Sequence, residues 1–257
     1  MQLNLKGKRV LVTGGSRGIG FACAVGFAQE GAVVTIVGSS AESVEIAVRR
    51  LEQSGAQVHG LVLNLDQRSD QQKLAEHMAD IDVLVNNAGA IPGGGLEALT
   101  DEEWRRAWDL KVLGYVDATR SVLPLMMKRK HGVIINVIGI AGVSPRYDYI
   151  CGSAGNAALI AFTQAAGAEA AKHGVRVLGV NPGATETDRV MTLYKARAKQ
   201  HFGDEARWEE LLDGLPFGRL AKPEEIADVV VFLASERASY LSGLVLDADG
   251  GARFNRG

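Results

Sequence analysis

Residues 13–20 read "TGGSRGIG". They follow the apolar run "RVLV" and precede "FACAVGFAQEG", whose apolar residues recur at helical spacing. A strand that enters a glycine-rich turn and leaves as a helix is the context in which this spacing binds a dinucleotide. Gly14 gives the tight turn, Gly18 lets the backbone approach a pyrophosphate, and Gly20 lets helix and strand pack closely. The phosphates would rest on the N-terminus of the helix, where unpaired N–H groups and the helix dipole attract anions.

Outward from this turn, the chain alternates short apolar runs with longer helical patterns. "RVLVTGG", "VVTIVG", "VHGLVLNL", "DVLVNNAG", "GVIINVIG", "VRVLGVNPG" and "GLVLDADGG" read as strands covered on both faces, because they are apolar almost throughout. Helical spacing separates them, including one long stretch over residues 101–132 and another over 152–174. Parallel neighbours need crossover connections, so this alternation predicts an α/β fold with a doubly wound, seven-stranded parallel sheet. No linker, repeat or low-complexity tract divides residues 1–257, which reads as a single domain. One amphipathic insertion falls after a strand end, and its residues 190–217 read either as a substrate lid or as a surface helical pair.

Bulk properties narrow the partners. With 257 residues, 47% of them hydrophobic, a sizeable core is expected. A formal net charge of −2 gives no electrostatic footprint for nucleic acid. Cys23 and Cys151 match no disulfide framework and no metal-ligand spacing, so no metal is expected and each reads as a small buried residue. No apolar signal core precedes the first turn, and no apolar run is long enough to span a bilayer, which leads to the expectation of a cytoplasmic protein without a membrane partner.

Together with "NNAG" at 86–89, "NPGATETD" at 181–188 and the stretch "GRLAKPEEIADVVVFLASERASYLSGLVLDADGG", the glycine turn closely resembles the short-chain dehydrogenase/reductase family. Four motifs in order cover nearly the whole chain. The resemblance implies one Rossmann-type domain, a small-molecule substrate and assembly as a homodimer or homotetramer. It also implies cofactor contacts. Gly14, Ser16, Arg17, Gly18, Ile19 and Gly20 would hold the pyrophosphate and nearby ribose, and Asn64 and Leu65 would meet adenine. Asn87, Ala88 and Gly89 would line the path to the nicotinamide, whose carboxamide Pro182, Gly183 and Thr187 would meet.

The choice between NAD and NADP follows from charge. An acid at the end of the second strand binds ribose hydroxyls and repels a 2′-phosphate. Here Gly38 holds that position, with Ser39 and Ser40 after it, and Arg17 adds a positive charge. NADP is therefore expected over NAD, although Glu42 stands nearby.

The family normally uses an Asn, a Ser, a Tyr and a Lys four residues after the Tyr. The phenol moves the proton, and the ammonium lowers its pKa toward working pH. All four positions differ here. Gly139 stands for the Ser, Gly152 for the Tyr, Asn156 for the Lys and Lys111 for the Asn. The Lys and the Asn look exchanged, which would keep one ammonium and one amide in the same pocket on opposite anchors. Lys111, desolvated beside a cationic nicotinamide, becomes the candidate proton donor, with Asn156 as its partner. Tyr149 lies three residues early, in the loop before the helix, and is read either as a displaced acid or as an aromatic pocket wall. Two functions remain open: an oxidoreductase with a rebuilt active site acting on a small carbonyl or alcohol, or a non-catalytic NAD(P)-binding sensor or structural subunit.

Overall fold

The computed structural model describes residues 2–254. Seven strands, β1 (Arg9–Thr13), β2 (Val33–Gly38), β3 (Val58–Val62), β4 (Val83–Asn86), β5 (Gly132–Val137), β6 (Val175–Pro182) and β7 (Val245–Ala248), form one sheet of order β3-β2-β1-β4-β5-β6-β7. Every pairing is parallel. The helices are α1 (Gly18–Gln29), α2 (Ala41–Glu52), α3 (Arg68–Glu76), α4 (Asp101–Trp108), α5 (Gly114–Arg129), α6 (Ile150–Ala171), α7 (Asp188–Phe202) and α8 (Pro223–Ala234). All seven expected strands are present.

Strand alternation sorts the core into two layers. Val10 and Val12 of β1, with Val133, Ile135 and Val137 of β5, pack against α1, α2 and α8. Leu11 and Ile134, the residues between them, pack on the opposite side with Leu74 of α3, Val122 and Met126 of α5 and Ala170 of α6. Both faces are thus sealed, as the continuous apolar runs required. A satisfied polar chain crosses the second layer. Asn86 Nδ2 donates to Asn136 Oδ1 at 2.9 Å, Asn136 Nδ2 donates to Thr163 Oγ1 at 2.9 Å, and that hydroxyl donates to the Leu159 carbonyl at 2.7 Å. It ties β4 and β5 to α6.

Two elements depart from simple periodicity. The expected helical stretch over 101–132 carries a π-helical turn at Asp109–Leu113, between α4 and α5. The 190–217 stretch forms most of α7 and then the 3₁₀ segment Glu205–Leu212 packed on it, with Tyr194 and Ala198 buried.

Arg176 on β6 closes the C-terminal end of α8. Its Nη1 donates to the carbonyls of Leu233 and Ala238 at 2.5 and 3.2 Å, and its Nη2 to those of Ala234 and Ser235 at 3.0 and 2.9 Å. The cation meets carbonyls at the helix end, those of Leu233 and Ala234 having no N–H partner among the described residues, and the negative end of the helix dipole. Burial pushes the guanidinium down to about 10, so it stays charged at neutral pH. Arg176→Met leaves the Leu233 and Ala234 carbonyls unpaired, while those of Ser235 and Ala238 keep the Ala238 and Leu241 N–H groups, and is expected to cost about 3 kcal/mol of stability in urea unfolding, since hydrogen bonds to a charged group are worth roughly 1.5–3 kcal/mol. A cost below 1 kcal/mol would show that water serves the helix end equally well.

Candidate active site

The strand order reverses between β1 and β4, and the crevice at such a switch point is where doubly wound sheets bind ligands. The turn after β1 is shaped for close approach. Gly14 and Gly18 sit at φ 63° and 55°, in the left-handed region that favours glycine. A Cβ on Gly20 would lie 2.2 Å from the Gly14 carbonyl oxygen, so only glycine lets α1 start so near the turn. Thr13 and Asn87 lock the two loops together. The Thr13 hydroxyl accepts from the Asn87 and Ala88 N–H groups at 2.9 and 3.1 Å. Asn87 Nδ2 donates back to the Thr13 and Gly14 carbonyls at 3.1 and 3.0 Å. The Asn87 side chain thus holds the cradle, a role that Thr13 shares and that the sequence pattern did not single out.

At the far end of the cradle, a Cβ on Gly38 would stand 3.0 Å from Ser16 Oγ. Ser16 fills the space in which an acidic side chain at 38 would begin. Ser39 is exposed, Ser40 caps α2 by accepting from the Ser43 N–H at 3.3 Å, and Arg17 is exposed with no ion-pair partner among the described residues. Asn64 is half-buried, its N–H bonded to Asp70 at 2.9 Å. Leu65 and Ala88 share a cavity wall with Thr13 and Tyr115. Thr187 caps α7, accepting from the Val190 N–H at 3.4 Å, and its methyl would lie 3.2 Å from a Cβ on Gly18. The residues fit a dinucleotide: three glycines hold a tight turn open at a helix start, with no carboxylate at the ribose position.

Lys111 and Asn156 arrive at one place. Lys111 Nζ donates to the Ile138 carbonyl at 2.5 Å, and Asn156 Nδ2 faces the next carbonyl, that of Gly139, at 3.4 Å. The Lys111 stem lies over Gly89, where a Cβ would be 2.9 Å from its Cδ. Lys111 sits in the π-turn, a device that often marks functional sites. Burial, then the charge of Arg189, pushes its ammonium down to about 8. The space a serine at 139 would use is taken by Asn156, whose Nδ2 stands 2.8 Å from the position of a Cβ there. Asn156 is buried, and its Oδ1 has no partner.

Tyr149 was three residues out of register in the sequence, yet its ring lies where a side chain at 152 would start. A Cβ on Gly152 would be 2.1 Å from Tyr149 Cε1 and 2.2 Å from its Cζ. Gly152 makes room for this ring. Burial raises the Tyr149 phenol above its ordinary range, while the neighbouring Arg189 guanidinium pulls it partly back. The ring and Trp108 both pack on the cluster of Ile91, Ala107 and Cys151, and Trp108 Nε1 donates to the Cys151 carbonyl at 3.2 Å. Tyr147, by contrast, faces outward and donates to Glu97 at 2.6 Å. Sequence reading missed Arg189. It stands in the first turn of α7, one residue before the stretch read as a lid, and its Nη2 donates to the Ile91 carbonyl.

A family model described as short chain dehydrogenase matches residues 8–198. The 3-oxoacyl-[acyl-carrier-protein] reductase of Thermotoga maritima is 35% identical over 254 residues, covering 97% of this chain and 99% of that protein. The 2,3-dihydro-2,3-dihydroxybenzoate dehydrogenase of Bacillus subtilis is 34% identical over 254 residues, covering 96% and 97%. Among solved structures, the L-sorbose reductase of Gluconobacter frateurii, complexed with NADPH and L-sorbose, superposes with a TM-score of 0.92 at 32% identity, covering 98% and 99% of the two chains.

Proposed function

This chain belongs to the short-chain dehydrogenase family and is an NAD(P)-dependent oxidoreductase, and from that premise we propose that it works on a small carbonyl or alcohol with Lys111 as its proton donor. The observation that carries the reading is the pair of consecutive carbonyls, Ile138 and Gly139, that bind an ammonium and an amide. A nicotinamide cofactor, when bound, supplies or accepts the hydride. Negative charge then builds on the carbonyl oxygen and needs a proton or a positive neighbour. Lys111, held down to about 8, is largely protonated at neutral pH and gives up its proton readily. Asn156 can donate a hydrogen bond but no proton. Trp108, Ile91 and the Tyr149 ring exclude water from one side. Residues 190–217 would cover the site as a lid. The reading is tested by screening aldehydes and ketones for NADPH consumption, and a broad screen without turnover would overturn the assignment of a small carbonyl substrate and of Lys111 as its proton donor.

A second reading is favoured by the Tyr149 ring at the space of residue 152: the phenol, eased by Arg189, gives the proton instead. Its raised pKa makes it the weaker acid of the two near neutrality, so Lys111 is preferred. By their names the relatives are a 3-oxoacyl-[acyl-carrier-protein] reductase, a 2,3-dihydro-2,3-dihydroxybenzoate dehydrogenase and an L-sorbose reductase, so they leave the substrate open.

For the cofactor, NADP(H) over NAD(H) is supported by Gly38, whose missing side chain leaves the ribose position without a carboxylate, and by the free Arg17 guanidinium. Calorimetric titration is expected to show NADPH binding more tightly than NADH, with Arg17→Ala narrowing the gap by ~10-fold, the scale of one charge-assisted hydrogen bond. Tighter binding of NADH would overturn the argument. Self-association is expected too. The outer face of α6 presents Ala154, Ala157, Ala158, Ala161, Ala165 and Ala168, small residues that let a second helix approach closely, and the π-turn and α5 expose Leu113 and Leu125. Light scattering at micromolar concentration should give two or four times the 27.3 kDa chain mass, as a homodimer or homotetramer. A monomer would contradict it.

A further inference from the structure

We propose that Arg189 seats a carboxylate of the substrate, so that the carbonyl compounds taken by this enzyme are oxo acids and its alcohols hydroxy acids. The inference rests on the reading of Lys111 as the group facing the carbonyl oxygen. Arg189 reaches from α7 across the site to the Ile91 carbonyl, on the segment whose Ile91 side chain packs with Tyr149 and Trp108. The Lys111 stem lies over Gly89, two residues before the Ile91 carbonyl that Arg189 meets, so the two cations approach one segment, and the charge of Arg189 is felt at Lys111. The neighbouring Arg146 and Arg197 share a single carboxylate, that of Asp148. Lys111 and Arg189 have no carboxylate within ion-pair distance among the described residues. Arg189 is exposed, so the cost of the two like charges falls mainly on the more buried Lys111, and a bound anion offsets it.

The chemistry of the two cations divides the work. A guanidinium offers five donors in a planar fork that matches a carboxylate, and the Ile91 carbonyl uses only part of it. Lys111 is a point charge deeper in the pocket, on the Ile138 carbonyl. A carboxylate on Arg189 leaves the carbonyl oxygen to Lys111. In the reduction, the carbonyl carbon takes the hydride and the oxygen takes the Lys111 proton. The product is the hydroxy acid, the neutral amine regains a proton from water, and the carboxylate is unchanged. A second demand in the same pocket is also open: the buried Asn156 Oδ1 lacks a donor, which a ligand hydroxyl would supply.

The test separates binding from turnover. Pyruvate, acetoacetate and 4-oxopentanoate, each against its methyl ester, are titrated by calorimetry into the full chain loaded with oxidised NADP, where no reduction can occur. At least one acid is expected to bind tenfold or more tightly than its ester. Arg189→Met should bring that ratio within twofold, and Arg189→Lys should restore part of it. Equal affinity of every acid and its ester, or a ratio that survives Arg189→Met, overturns the proposal. Turnover with NADPH then tells the two readings apart. Acids that bind selectively but are not reduced uphold the carboxylate seat and remove the oxidoreductase role of Lys111. Neutral ketones reduced as well as their acid counterparts uphold that role and overturn the seat.

Discussion

Lys111→Met is expected to lower turnover by ~10²–10⁴-fold, the usual effect of removing a positioned general acid. The affinity for NADPH should stay within a few-fold, because the glycine turn lies on other elements. Methionine keeps the unbranched stem over Gly89 and removes only the charge. A folding defect is not expected. The ammonium is disfavoured by burial, and its pKa of about 8 in the fold lies below the ordinary 10.5. The unfolded chain therefore binds more protons between those values, so the charged Lys111 weakens the fold at pH 7 and this penalty fades as pH rises from about 8 to 10.5. Methionine relieves it, and thermal unfolding at pH 7 should show equal or higher stability. The same value sets the pH profile. Carbonyl reduction needs the ammonium, so its rate should be level below about pH 8 and fall above it, while alcohol oxidation needs the neutral amine and should rise over that interval. Tyr149→Phe is expected to cost less than Lys111→Met at every pH. The reverse order, with Tyr149→Phe abolishing turnover, would identify the displaced phenol as the acid.

Gly20→Ala is expected to weaken NADPH binding by more than ~100-fold. One methyl group is enough because it has nowhere to go: it would stand 2.2 Å from the Gly14 carbonyl oxygen and 2.4 Å from Asn87 Nδ2. The first of these atoms is backbone, so α1 must move away from the turn, and the N–H groups that face the phosphates move with it. The second is the amide that holds Thr13 and Gly14, so the clamp between the β1 and β4 loops opens as well. Overpacking of this kind costs about 1–3 kcal/mol in stability. Gly214→Ala is the control, since a Cβ there meets nothing within 4 Å and its φ is unconstrained. Calorimetry and urea unfolding read both effects. Binding within tenfold of the wild type would show that the turn is softer than its geometry.

The shape of the candidate cofactor cradle was legible because its demands fall on the backbone. A left-handed turn and a close helix start can be met only by glycine, so Gly14, Gly18 and Gly20 mark them at fixed spacing. The sheet was legible for a similar reason: a strand sealed on both faces has to be apolar throughout, as "GVIINV" is. The proposed catalytic half depends on where side chains reach. Register alone led to Lys111 and Asn156, since both sit on helices. It could not show that Tyr149, at the non-helical start of α6 with φ −144° and ψ 36°, turns its ring into the space that Gly152 vacates. Nor could it draw Arg189 across to Ile91, because that contact joins residues 98 positions apart through a single long side chain.

The π-turn at Asp109–Leu113 has a consequence for insertions and deletions. It holds one residue more than an α-helical turn, and each residue of a helix advances the direction of its side chains by about 100°. The faces of α4 and α5 are therefore out of phase. Ala107 looks toward Ile91 and Cys151, while Ala118, Val122 and Met126 look toward the sheet. Deleting one residue within the turn would let the helix run straight and force a choice. Either the sheet-facing side of α5 keeps its place and Lys111 swings out of the pocket, or Lys111 stays and three apolar side chains rotate off the core. Single substitutions on the outer face of this stretch are tolerable, but a change in its length is not. In descendants of this chain, residues 101–129 should accumulate replacements freely on their outer face and almost never change in number.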